Sequence, residues 1–256
     1  MIPAADLVAG ELELTGRIRT ASNATFVGSI GGVTVVYKPI AGEKALWDFP
    51  DGNLASREAA AYLVSQGFGW NVVPRTWLRE GPMGPGMVQL WQERDPAQDP
   101  VDLIPADAMP EQGWRHVLDG QDERNRVVSL VHEDSAALRR MAVFDIVVNN
   151  ADRKGDHILA MPGGHRHGVD HGLTFHAEHK LRTVLWGWLG DELSVEELAG
   201  IDRVRLLLQG ALGESLRGLL TDLEIAALIE RCDRLRSDGI FPAPSGDMPA
   251  VPWPLF

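Results

Sequence analysis

The chain of 256 residues is 45% apolar and 23% charged, the composition of an ordinary globular protein rather than a disordered one. A formal net charge of −12, with no Lys/Arg run longer than the pair Arg139–Arg140, disfavours nucleic-acid backbones and stable residence on anionic membranes. A single cysteine, Cys232, excludes an internal disulfide framework, no stretch approaches about eighteen apolar residues, and MIPAADLVAGELELTG lacks the basic-then-apolar order of a signal peptide, so a cytoplasmic protein is expected.

In chain order, Glu11–Thr20 alternates as a strand, Thr25–Ile30 is extended in character, Gly31–Gly32 turns, and Val33–Tyr37 is β-branched. Asn53 is a plausible cap for an amphipathic helix over Leu54–Gln66, with Gly67 and Gly69 as stops. Val72–Leu78 reads as a strand, GPMGPG (Gly81–Gly86) as a rigid turn, and Met87–Trp91 as a short apolar strand. Glu93–Pro110, rich in Asp and Pro, reads as a loop joining two lobes. Helical periodicity then dominates. Ser135–Val148 is one such stretch, and Ser194 with Glu197 and Thr221 with Glu224 fit capping boxes, the second opening a helix over Asp222–Ser237. The proline-rich tail is expected to lie extended against the body.

Reactive side chains gather in three islands: VVYKP at Val35–Pro39, SREAAAYL at Ser56–Leu63, and NNADRKGDHIL at Asn149–Leu159, followed by GVDHGLTF at Gly168–Phe175. A strand lysine, an Arg-Glu helix, an Asp-Arg loop and an Asp-x-Gly motif in this order resemble the phosphatidylinositol 3- and 4-kinase family and the related bacterial HipA-type kinases. The likeness spans roughly residues 20 to 190 and looks like an actinobacterial branch of that family.

The resemblance implies an α+β, two-lobed kinase-like fold: a β-rich N-lobe with one helix over residues 1–92 and a mainly helical C-lobe over 93–256. It implies ATP with Mg²⁺ or Mn²⁺ in the cleft, and transfer of the γ-phosphoryl group to a hydroxyl. Such transfer needs a cation on the phosphates, metal ligands, and a group that orients the acceptor. Lys38 would contact the α- and β-phosphates, and Glu58 would hold Lys38. Asp152 would orient the acceptor or take its proton, and Lys154 would meet the charge on the moving phosphoryl group. Asp170, at a strand end, suits a magnesium ion. Ser22 and Thr25, in SNATFVG, are candidate phosphate donors where the family has a glycine-rich run, although a plain β-turn reads equally well. The base would lie against backbone groups of Gln89, Leu90 and Trp91.

One position departs from the family. Five residues after Asp152, where an asparagine usually serves the metal, stands His157, a nitrogen ligand better suited to Mn²⁺ than to Mg²⁺. Packing under the loop is the competing reading. His165 and His167 lack the cysteines and spacing of a structural zinc site and are expected as solvated loop residues, His171 as packing near the site, and Cys232 as packing. The acceptor stays open among an inositol-like polyol, a lipid headgroup and a protein hydroxyl. Two alternatives keep the fold: a non-catalytic nucleotide-binding pseudokinase and a nucleotidyl transferase.

Overall fold

The computed structural model of the chain describes residues 4–19, 21–245 and 249–256. A short helix α1 (Ala4–Ala9) precedes three antiparallel strands, β1 (Leu12–Arg17), β2 (Phe26–Ile30) and β3 (Val33–Pro39). After α2 (Leu54–Phe68) come β4 (Thr76–Gly81) and β5 (Gly84–Leu90), completing a five-stranded sheet in the order β1-β2-β3-β5-β4. The expected turn at Gly81–Gly86 is tighter in the structure: Gly81 pairs with Gly84, so β5 starts earlier. The strand expected over Val72–Leu78 starts only at Thr76, because Val72 and Val73 instead fill the core. With α1 present, the amino-terminal part has two helices rather than one.

Side chains alternate across a strand, which decides what β3 offers to each face. Val35 and Tyr37 are buried with Leu7, Leu12, Ile30 and Val88 on one side of the sheet. Lys38, one residue on, therefore points to the face that α2 covers. Asn53 caps α2 by accepting from the Ser56 amide, and the Glu43 carboxylate takes the Leu54 and Ala55 amides, so the first-turn donors are satisfied. The helix runs through Gly67 and stops at Gly69, whose φ of 72° suits a residue without a Cβ. It is not amphipathic, because β4 and β5 pack on one side and helices of the carboxy-terminal part on the other.

The loop expected over Glu93–Pro110 contains a strand, β6 (Val101–Pro105). It joins β7 (Trp114–Gln121) and β8 (Val127–Glu133) in a second sheet ordered β6-β8-β7. The prolines that argued for a loop flank and end an edge strand, where a missing amide costs no ladder bond. Helices then prevail: α3 (Ala136–Val148), α4 (Val195–Leu207), α5 (Ala211–Leu216) and α6 (Asp222–Asp238), with the small hairpin β9 (Ile158–Ala160) and β10 (Arg166–Gly168) after α3. Both expected capping boxes form, at Ser194 and Thr221. The main core unites Ala60, Val64 and Phe68 of α2 with α3, α4 and α6. Cys232 lies inside it, its thiol pushed up to about 12 by burial, which makes it inert. The result is an α+β fold with antiparallel sheets first and a mainly helical part after them. Among the described residues no helix is long and apolar enough to cross a membrane.

Candidate active site

Glu58, in the second turn of α2, and Lys38, on the covered face of β3, meet across the sheet–helix interface. Lys38 Nζ donates to Glu58 Oε1 at 2.7 Å and to Asp170 Oδ1 at 2.6 Å. Burial works against the ammonium, but Asp170 and Glu58 outweigh it and raise the lysine well above its ordinary value. Asp170 is held well below the usual carboxylate range, first by the Lys38 charge. It follows β10 with φ 62°, a left-handed conformation uncommon outside glycine and one that clusters at functional sites.

Beneath these groups lies a buried network. Asp145 of α3 and Arg153 of the following loop are both wholly enclosed and form a bidentate pair, Nε to Oδ2 and Nη2 to Oδ1, each at 2.8 Å. Arg153 spends its remaining donors on the His157 and Val169 carbonyls, at 3.1 and 3.2 Å, and on His171 Nε2 at 2.7 Å. All five guanidinium donors are thus satisfied. Since His171 Nε2 accepts, its proton sits on Nδ1, which has no hydrogen-bond partner and lies 4.0 Å from Glu58 Oε2. The His171 amide donates to that same oxygen at 2.9 Å. Burial above all, then Arg153, keeps this imidazole neutral. Asp145, Arg153, His171, Glu58 and Lys38 form one continuous chain of contacts from α3 to β3.

The loop after α3 turns at Asn149, in the left-handed region, and presents Asp152, Lys154 and His157. Lys154 Nζ lies 3.5 Å from Asp152 Oδ2. Asp152 is partly buried, and burial raises its pKa against the opposing pull of His157 and Lys154. His157 Nδ1 lies 2.8 Å from the Asp152 carbonyl, so in the neutral ring Nδ1 donates and the Nε2 lone pair faces Asp170 Oδ2 at 3.5 Å. Burial first lowers the His157 pKa and disfavours a second ring proton. Two electron donors facing each other at that distance suit a cation between them. Asp156 points to solvent. Among the described residues no three His, Cys, Asp or Glu side chains converge as a protein-only metal cage. Asp170 and His157 supply one oxygen and one nitrogen donor, so a divalent cation between them would need further oxygen ligands from phosphate or water.

Lys38, Glu58 and Asp170 line a small cleft that is also lined by the Ser22–Thr25 turn. Thr25 is buried and its hydroxyl donates to the Asn23 carbonyl. The reading of backbone groups of Gln89–Trp91 at a base edge loses two of its donors in the structure. The Leu90 amide donates to the Arg75 carbonyl and the Trp91 amide to Thr34, while the Gln89 side chain donates to Thr76 Oγ1. Gln89 and Leu90 lie in β5 between two neighbouring strands, and Trp91 follows the strand and is exposed. His165 and His167 are likewise not both solvated: His167 is buried, its pKa pushed down to about 4 by burial first, and its ring is 4.4 Å from that of His165. Trp186 and Trp188 are core residues.

Sequence reasoning named His171 without a role and gave none to Asp145 or Arg153. The available signal was Asp145 itself, a lone acid in the apolar run MAVFDIVV. Almost no such residue stays buried unless paired.

Fold and site together define an α+β protein whose cleft holds a lysine between two carboxylates, Glu58 and Asp170, with His157 beside Asp170 and a buried arginine beneath. The chain belongs to the family of Protein Rv2133c from Mycobacterium tuberculosis (strain ATCC 25618 / H37Rv), to which it is 48% identical over 263 residues, covering 98% of this chain and 94% of that protein. No family model matches the chain. The crystal structure of a Helicobacter pylori proinflammatory kinase, CtkA, aligns over 93% of this chain and 95% of that one, with a TM-score of 0.47 and 10% identity; a likeness of that degree carries no argument. The site stands on its own geometry.

Proposed function

We propose that this chain is an ATP-dependent phosphotransferase that moves the γ-phosphoryl group to a hydroxyl. The observation that carries the reading is the shared ammonium: Lys38 Nζ, 2.7 Å from Glu58 and 2.6 Å from Asp170, lines the same cleft as the Ser22–Thr25 turn. The likeness of the three islands to phosphatidylinositol 3- and 4-kinases and HipA-type kinases supports it. Residues 1–92 would supply most of the nucleotide contacts and 93–256 the transfer machinery.

Lys38 meets the α- and β-phosphates while Glu58 fixes its direction. Ser22 offers a hydroxyl donor above them, whereas the Thr25 hydroxyl is taken by the Asn23 carbonyl. Asp170 and His157 would hold the divalent cation, which supplies charge neutralisation on the phosphate oxygens. Asp152, made more basic by burial, accepts the acceptor's hydroxyl proton as its oxygen bonds to the γ-phosphorus. The bond from that phosphorus to the β–γ bridging oxygen breaks and ADP leaves, with Lys154 countering charge on the transferred group. A net charge of −12 favours a soluble polyol or protein acceptor over a lipid headgroup in an anionic bilayer.

Incubation of the protein and a metabolite extract with [γ-³²P]ATP or [α-³²P]ATP tests this. Label is expected in acceptor from the γ-position alone, with ADP as product. Transfer of α-label would mean nucleotidyl transfer, and tight ATP binding without turnover a nucleotide-binding protein.

A further inference from the structure

Outside the cleft, Ala250–Phe256 crosses back over the loop that carries Asp152, Lys154 and His157. The Ala250 carbonyl accepts from the Thr183 amide at 3.1 Å and from Trp186 Nε1 at 2.8 Å. Thr183 lies in the segment that brackets Arg153: Arg153 N donates to the Arg182 carbonyl, and Val184 N to the Arg153 carbonyl, both at 3.1 Å. Val251 and Leu255 pack against the main core. The Leu255 carbonyl then accepts from the Gly155 amide at 2.9 Å. The Phe256 ring fills the place a Cβ of Gly155 would take, so any larger residue there has to push the ring aside.

Gly155 follows Lys154 and opens the single helical turn that ends at His157. That turn is held from inside by Arg153 on the His157 carbonyl and by His157 Nδ1 on the Asp152 carbonyl. From outside it is held at Gly155 by Leu255 and Phe256. With two clamps on one turn, a shift at Gly155 moves Lys154 and His157 together.

We propose that Leu255 and Phe256 are positioning residues for Lys154 and His157, a role that rests on the phosphotransfer reading above. The strap touches none of the cleft-lining groups, and Phe256 is 39% exposed, so loosening it should disturb transfer far more than folding or nucleotide binding. Misplacement of a reacting group by even 1 Å can cost on the order of a hundredfold in rate.

Three readouts on the full chain test it: kcat, ATP affinity by calorimetry, and hydrogen exchange at the Gly155 amide. In Phe256→Ala, kcat should fall about tenfold and Gly155 exchange should quicken about tenfold, with ATP affinity and Tm unchanged. Phe256→Leu should restore most of the rate. Gly155→Ala should be as slow as Phe256→Ala, and the double variant Gly155→Ala/Phe256→Ala no slower than Gly155→Ala, because contacting residues do not act additively. Multiplication of the two losses overturns the proposal, as does unchanged Gly155 exchange or an equal loss of ATP affinity. A wild-type protein with no turnover, yet with Gly155 exchange that responds to Phe256→Ala, overturns the phosphotransfer reading and the positioning role with it, leaving only a structural strap. An active enzyme with an unresponsive Gly155 overturns the strap alone.

Discussion

At the floor of the cleft, Arg153 is wholly enclosed and spends all five donors on protein acceptors. At its mouth, the Lys38 side chain stays 21% exposed and is shared between two carboxylates, one of them, Asp170, 53% exposed. Every Arg153 donor is paired inside the protein, while the mouth leaves charged groups open to solvent. A buried guanidinium with all its donors paired gains little from anything added later and fixes where its partners stand. A half-open cluster of paired charges can exchange one partner for a phosphate or a metal without leaving a charge orphaned. On the phosphotransfer reading, the floor supplies geometry and the mouth chemistry.

The largest effect should come from breaking the floor. Arg153→Leu leaves the Asp145 carboxylate buried and unpaired, which costs about 3–5 kcal/mol of stability. Chemical denaturation of the variant reads this directly. The double variant Asp145→Leu/Arg153→Leu removes both charges and should regain much of that stability, yet not turnover, since His171 and the His157 carbonyl lose their anchor. Full activity in a stable double variant would erase the distinction between floor and mouth.

The mouth was far more legible in the sequence than the floor. Lys38, Glu58, Asp152 and Asp170 stand in short polar islands between apolar runs, and their order along the chain suggested that they meet. The structure brings Lys38, Glu58 and Asp170 within hydrogen-bond reach. Asp145 looks like a mere interruption of an apolar helix, because its partner comes only after the chain has reversed at Asn149. The Gln89–Trp91 reading loses two amides for a related reason: a strand between two neighbours has few amides to spare, and the β3-β5-β4 order is a long-range property. The second sheet was missed because β6 and β7 are edge strands with exposed polar faces, so their apolar alternation is weak.

Burial keeps imidazoles neutral beyond the floor as well, and pH sharpens the contrast. His132 donates from Nδ1 to the Glu133 carbonyl and accepts the Gly187 amide at Nε2, an arrangement only the neutral ring allows. Burial pushes its pKa down to about 4, as for His167. Between about pH 6.5, the unfolded value, and about 4, the unfolded ring binds a proton that the folded one refuses. Stability should therefore fall with falling pH across that window, by up to about 1.4 kcal/mol per pH unit for each such histidine. Thermal unfolding at pH 7, 6 and 5 checks this, and His132→Gln should flatten the slope. An unchanged slope in the variant would mean that His132 takes up its proton alike in both states.

A smaller effect, a few-fold, is expected at His157. If Nε2 serves the metal with Asp170, manganese should support activity better than magnesium, and His157→Asn should move the ratio toward magnesium, since an amide oxygen is the harder ligand. Equal ratios in wild type and variant would place His157 with the packing groups of the floor.

The central claim is that Lys38 holds nucleotide phosphates at the mouth. Charge-assisted contacts of this kind contribute about 1.5–3 kcal/mol, so titration calorimetry of Lys38→Met with ATP and Mg²⁺ should show affinity weakened about tenfold or more. An affinity equal to that of the wild-type protein, in a variant with an unchanged circular dichroism spectrum, would contradict the claim.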